Sequence, residues 1–355
     1  MKNVAVEVIK PEKSDTFRII FLNVGQGEST LLAIPNKDGA HKYALIDSNI
    51  DTSVDGVDLI EMLEDLLGGE SLDYYINTHP HKDHNAKVKE IQERFGISEL
   101  WHSGHTPKGD HKSSFEEMKD VINQLGTDKV FLLKGTNSKN KVRNSKDEKD
   151  VIRELGSISY QVLAPAEYVK DDIEDENAET HYARIHEYCG VIKFTYGNPE
   201  KSILITGDSN CIAWKNHIVE YHNGILKSEI LSASHHGSKD FFWENGDVDL
   251  DVYLEHMDSI RPEYLVISAP KESKHGHPHE EALEQYKKYV VEENIFNLGE
   301  EEFCLVVDIS PDGKMSFSKD KSLIEEYCSN KEKKRKEQKF FHSKRPSEPE
   351  PERFA

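Results

Sequence analysis

NTHPHKDHN, residues 77–85, sets His79, His81, Asp83 and His84 within six positions. It closes the apolar run LDYYINT (72–78) and precedes a stretch of helical period, AKVKEIQERF (86–95). A strand, a tight turn and a helix in that order bring such side chains together at the strand's end. Imidazole and carboxylate donors at this spacing suit zinc, manganese or iron, and two metals can share the cluster if further ligands arrive from elsewhere. A solvated His-rich loop is the competing reading, so the remaining ligands decide.

Working outward, short runs rich in β-formers predict strands at FRIIFLNV (17–24), STLLAI (29–34), KYALID (42–47), VIKFTY (191–196), SILITGD (202–208), EILSAS (229–234), YLVISAP (264–270) and FCLVVDI (303–309). Helical periods appear at VDLIEMLEDLL (57–67), SFEEMKDVINQL (114–125) and 280–291. Strand clusters covered by helices in both halves predict an α/β fold, an αββα sandwich of two mixed sheets with helices outside. The polar stretches 134–150 and 170–179 read as surface loops or insertions, possible lids, within one domain over 1–328. Residues 329–355 read as a charged, disordered tail.

Further ligands belong at strand ends, where a loop rim beside a rigid sheet holds charged groups close without burying their backbone. Asp47 ends KYALID, Asp208 ends SILITGD, and His235 and His236 follow EILSAS. Taken singly, such an Asp is more often a turn residue or helix cap. Their joint occurrence with the His cluster favours a metal site.

On these residues the sequence resembles the metallo-β-lactamase superfamily, whose motifs run strand-end Asp, HxHxDH, lone His, strand-end Asp, final His. Asp47, the 79–84 cluster, His186, Asp208 and the His235/His236 pair fill those places, with His181 the weaker substitute for His186. More narrowly it resembles the soluble hydrolase domain of the competence protein ComEC, through NVGQGES (23–29), LITGDS (204–209), SHHGS (234–238) and GHPHEEAL (276–283). The agreement spans about residues 17 to 310. Three departures stand out. Glu28 replaces an Asp, His186 appears where those domains usually lack a histidine, and ComEC's membrane channel portion has no counterpart here.

The resemblance implies two divalent cations, zinc or manganese. His79, His81 and His186 would hold one, Asp83, His84 and either His235 or His236 the other, with His236 favoured and Asp208 bridging. Asp47 would orient a ligand or the water. Asp83, His235 and His277 are further candidates for the chemistry, His277 ahead of His275, and Gln26, Ser238 and His279 for contact with substrate. Glycines beside Gln26 permit close backbone approach, so that turn is expected on the site floor.

The implied reaction is hydrolysis of a nucleotide or nucleic-acid phosphodiester. Lys plus Arg number 45 against 66 Asp plus Glu, a formal charge of -21. That balance opposes non-specific binding of long duplex DNA and favours a nucleotide or short single strand. Hydrolysis of a lactone, thioester or β-lactam is the second enzymatic reading, since fold does not fix the reaction. A regulatory or immunity protein that uses the fold to bind a protein partner is the third. Four dispersed cysteines, Cys189, Cys211, Cys304 and Cys328, form no CxxC pair, and no signal peptide or membrane span is legible, so the expected location is the cytoplasm, away from membranes.

Overall fold

Alternation along FRIIF builds the first sheet. Phe17, Ile19 and Phe21 enter one apolar layer while Ile20 enters another, the period of a strand with both faces covered. The computed structural model describes residues 4–108, 112–169 and 176–330. Strands β1 (Phe17–Phe21), β2 (Thr30–Pro35), β3 (His41–Ile46), β4 (Leu72–Asn77), β5 (Ile97–His102), β6 (Val130–Leu132), β7 (Lys141–Asn144) and β8 (Asp150–Ile152) lie side by side in chain order.

A second, six-stranded sheet is made of β9 (Ser159–Ala164), β10 (Val191–Tyr196), β11 (Lys201–Ile205), β12 (Ile230–Ser232), β13 (Tyr264–Ile267) and β14 (Ile295–Asn297). The chain then returns to the first sheet. There β15 (Cys304–Ile309) pairs antiparallel with β1, Phe17 opposite Ile309 and Phe21 opposite Leu305, and β16 (Met315–Asp320) closes the ten-stranded edge. Both sheets are mixed: β3 to β6 and β11 to β14 run parallel, their remaining partners antiparallel.

Three apolar layers follow. Between the sheets, Phe17, Ile76, Trp101, Phe194, Ile203 and Val307 interlock. Outside the first sheet, helix Leu59–Leu67 buries Leu59, Met62, Leu63 and Leu66 against Leu45 and Tyr75. Asp58 caps that helix by accepting from the amides of Ile60 and Glu61, and Gly68 ends it in a left-handed turn. Outside the second sheet, Trp214, Phe241, Met257, Ala282 and Tyr286 form the third layer. Each large aliphatic side chain so buried contributes about 1.5–3 kcal/mol. The architecture is the expected αββα sandwich.

One expectation needs correction. The stretch 134–150 is not wholly loop: it supplies β7 and, with Asp150, the start of β8, an edge hairpin in which Val142 is buried and Ile152 exposed. With one face in water, that pair carries too few apolar positions to read as strand. The stretch 86–95 holds helix Val88–Arg94 as expected, separated from the short helix Lys82–Asn85 by Lys87, whose φ is 72°. Of the stretch 170–179, residues 170–175 lie outside those described, and Asn177 caps helix Ala178–Ala183. Of the tail, Ser329 is buried with its hydroxyl on the Asp51 carbonyl, and 331–355 lie outside the described residues. Among the described residues no helix is long and apolar enough to cross a membrane, and no disulfide joins the four cysteines.

Candidate metal centre

Asp47 leaves β3, His79 leaves β4, Asp208 leaves β11, and His235 and His236 leave β12, all carboxyl ends of parallel strands. Parallel pairing places successive strand ends side by side, the crevice where open α/β sheets hold ligands. The two sheets therefore present their rims to each other.

Two groups of donor atoms meet there. In the first, His79 Nε2 lies 3.0 Å from His81 Nδ1 and 3.5 Å from Asp208 Oδ2, while His186 Nε2 lies 3.3 Å from His81 Nδ1 and 3.8 Å from Asp208 Oδ2. In the second, His84 Nε2 lies 3.3 Å from His236 Nε2 and 3.1 Å from Asp208 Oδ1, and His236 Nε2 lies 3.6 Å from Asp83 Oδ2. Asp208 turns one carboxylate oxygen to each group.

The outer ring nitrogens show what the inner ones carry. Asp47 Oδ2 accepts from Thr78 Oγ1 at 2.6 Å and from His84 Nδ1 at 2.8 Å. Thr78 has thus spent its proton, so it accepts from His79 Nδ1 at 3.1 Å. His236 Nδ1 donates to the Ser268 carbonyl at 2.8 Å. With Nδ1 protonated in each of these three rings, the neutral tautomer points a bare Nε2 lone pair inward. Lone pairs and carboxylates converging within 4.8 Å fit divalent cations.

Electrostatics divide the rings: His79, His81 and His186 are held neutral, whereas against burial Asp208 raises His236, as it does His84, so that a cation would have to displace a proton from these two. Burial, then His84, push His79 down to about 3, and burial pushes His81 to about 4. Burial also leads in holding His186 well below its usual range. Burial opposes charge on His84, but Asp208 and Asp47 outweigh it and hold the ring well above the ordinary value. Burial likewise opposes charge on Asp208, yet His84, His235, His236 and His79 hold it well below the usual carboxylate range. Glu28, grouped with His84 and Asp208, is pushed up to about 7 by burial.

A model of the metallo-beta-lactamase superfamily matches residues 22–213, over half of the 355-residue chain. The chain belongs to this superfamily. Among solved structures, this metallo-beta-lactamase superfamily member is similar to CmlA, a diiron beta-hydroxylase from Streptomyces venezuelae, at 13% identity over 85% of this chain and 55% of that one, TM-score 0.45. It is also similar to a diphosphatase from the PhnP family, at 13% identity over 86% and 98%, TM-score 0.39. A third is the metallo-beta-lactamase MIM-1 from Novosphingobium pentaromativorans, at 12% identity over 77% and 90%, TM-score 0.32. The chain spans about half the length of CmlA. No curated protein matches it.

The remaining candidates of this superfamily member take distinct places. His235 stands outside both donor groups: its Nδ1 donates to Asp240 Oδ2 at 2.7 Å and its Nε2 lies 3.6 Å from Asp208 Oδ2. The His277 ring centre is 5.2 Å from that of His235. His279 Nδ1 accepts from the Lys239 amide, and the Ser238 hydroxyl accepts from the Asp240 amide, so both tie the loop together. His181 packs on His105 rather than joining the cluster. Gln26 Oε1 accepts from Ser273 Oγ, linking two rim loops. Next to it, Gly27 has a φ of 128°, and an added Cβ would stand 2.5 Å from the Asp83 carbonyl, so the glycine turn underlies the second donor group.

Asp240, Thr78 and Ser268 are the participants that sequence reasoning missed. Thr78 had a legible position, next to His79; the other two needed the fold. One prediction follows from Asp47, whose φ of 55° is a conformation asparagine tolerates. Asp47→Asn keeps shape and backbone while removing the charge behind His84. Metal affinity should fall about 10–100-fold, and because Asn77 Nδ2, the Thr78 amide, Thr78 Oγ1 and His84 Nδ1 all donate to the carboxylate, the amide NH2 meets an unmatched donor and stability should fall by about 1–3 kcal/mol, as read by zinc titration against a chromophoric chelator alongside urea unfolding followed by circular dichroism.

Proposed function

We propose that this protein is a two-metal hydrolase of phosphodiesters, acting on a nucleotide or a short single strand of nucleic acid, with zinc or manganese in the two donor groups. The observation that carries it is Asp208, one oxygen directed to each group. Two cations held by these residues would supply Lewis acidity at phosphoryl oxygens and lower the pKa of water towards neutrality.

The chain's own residues supply orientation. His79, His81 and His186 form one ligand set, and Asp83, His84 and His236 the other. Asp47 fixes the His84 ring, and Thr78 fixes His79. His235 and His277 face the open side, where substrate oxygens would lie; the side chains of Asp83 and His235 are 35% and 22% exposed, against 0% for His79 and His84. The ComEC-like motifs support the substrate class, and the acidic balance of the sequence supports a small or single-stranded substrate over long duplex. The working unit is a single domain over residues 1–328 in the cytoplasm, and a protein partner is compatible with its charge.

The test is hydrolysis of bis-p-nitrophenyl phosphate by zinc- or manganese-loaded protein, with His79→Ala and His81→Ala as controls. Turnover should require metal and vanish in both variants. Metal-replete protein that leaves the ester intact would overturn the phosphodiesterase reading in favour of a lactone or thioester substrate, or of a binding role.

A further inference from the structure

The loop after β12 is built with strain. His235 and His236 both take left-handed backbone conformations, φ 49° and 57°, which L-residues with side chains seldom adopt. Consecutive strained residues persist only where their surroundings over-determine them. Here the His235 amide donates to the Gly207 carbonyl at 3.0 Å, the Ser238 amide to the His235 carbonyl at 2.9 Å, and Ser234 Oγ to the Ser209 carbonyl at 2.6 Å.

Asp240 sits at the far end of this loop, on the short helix Lys239–Phe241. Phe241 and Phe242, which follow it, are fully buried among Trp214, His256 and Tyr286 and fix its backbone. Its Oδ2 accepts from His235 Nδ1 at 2.7 Å and lies 3.9 Å from His186 Nδ1. Its Oδ1 is buried without a hydrogen-bond partner. A carboxylate kept only to stabilise a loop gains by satisfying both oxygens, and leaving one bare costs free energy. Its placement instead serves two rings, one in the first donor group and one facing the cleft.

We propose that Asp240 is a positioning residue for the reaction, aiming the His235 ring at the substrate and steadying His186 behind the first metal. The role rests on the hydrolase reading above. As an acceptor only, the carboxylate fixes the hydrogen on His235 Nδ1 and holds Nε2 toward the cleft beside Asp208. Without it, the His235 ring is free to turn about its side-chain bonds.

The experiment is a double-mutant cycle of Asp240→Ala and His235→Ala at saturating zinc, with Asp240→Asn as the conservative variant whose amide oxygen still accepts from Nδ1. Each alanine variant should lower kcat on bis-p-nitrophenyl phosphate about 10–100-fold. The double variant should be no slower than the slower single one, because Asp240 acts through His235. Asp240→Asn should recover part of the rate. Proton NMR of the metal-free protein gives a reading independent of turnover: among the slowly exchanging ring N–H signals, the one assigned to His235 by its loss in His235→Ala should be present in the wild type and absent from Asp240→Ala.

Independent, multiplying losses in the cycle, or a His235 ring N–H signal that survives Asp240→Ala, would overturn the proposal. Wild-type protein that is inert toward the ester sinks the hydrolase reading instead, and the NMR signal still decides whether Asp240 holds His235. If Asp240→Ala fails to fold, Asp240→Asn against His235→Ala completes the comparison: a rate for Asp240→Asn as low as that of His235→Ala, in protein that keeps the N–H signal, counts against positioning.

Discussion

Asp208→Ala should abolish turnover, by at least about 10³-fold, since a bound metal contributes several kcal/mol of transition-state stabilisation and each 1.36 kcal/mol is about tenfold in rate. Removing the side chain deprives both donor groups of an oxygen at once. It also takes from His84 the carboxylate that most offsets its burial, leaving Asp47 as its hydrogen-bonded partner. Elemental analysis should find fewer than two metals per chain. A variant that keeps both metals and the wild-type rate would end the bridging assignment.

The same substitution should change stability in a particular way. His79, His81, Asp83 and His84 come from the rim of the first sheet, and His186, Asp208 and His236 from the rim of the second. Metals held between them bind only the folded chain. At free metal about 1,000-fold above Kd that linkage is worth about 4.1 kcal/mol. Chelation should therefore lower the melting temperature of the wild type and leave Asp208→Ala nearly unaffected.

A second large effect should appear far from the metals. His256 is fully buried with both ring nitrogens unpartnered, packed against Phe241 at 4.2 Å, Tyr253 at 5.1 Å and Phe242 at 5.3 Å between ring centres. Burial alone pushes it down to about 3. The folded chain keeps the ring neutral, while the unfolded chain takes up a proton below about 6.5. The unfolded state then binds more protons, so stability is full above about pH 6.5 and falls as pH drops towards about 3. The loss is about 1.4 kcal/mol per pH unit, about 2 kcal/mol by pH 5. His256→Phe removes the titrating group and both unsatisfied nitrogens. Unfolding free energies of the two proteins, from urea titrations, should diverge by that amount between pH 7.5 and 5; parallel pH profiles would refute the assignment.

The contrast between these two sites marks what the sequence discloses. Asp47, the 79–84 cluster, Asp208 and the His235/His236 pair were legible as candidate ligands because each follows an apolar run, and a strand end is visible in one dimension; His186, which precedes β10, was named only through the family resemblance. Asp240 was not, because a short helical turn carries it back to His235 and no spacing rule encodes that return. His256 was equally silent, since it becomes a buried base only when Trp214, Phe241 and Tyr253 assemble around it. Long strands such as β1 and β10 announced themselves. β5, with Glu99 inside it, and β6 and β14, each three residues long, lacked a sufficient run of their own; β12 was expected, though the stretch 229–234 overshot it at both ends. The polar hairpin β7–β8 was hidden for the opposite reason, an edge position that leaves its side chains in water.

The pairing of β15 with β1 has a consequence for how the protein is made. The strand that enters translation at Phe17 waits for a neighbour that begins at Cys304, so the sheet carrying His79 and His84 keeps an open hydrogen-bonding edge while nearly 300 residues emerge between them. Such contacts of high sequence separation form slowly. A growing polypeptide on the ribosome therefore presents every candidate metal-binding side chain before the open edge of β1 can be closed by β15.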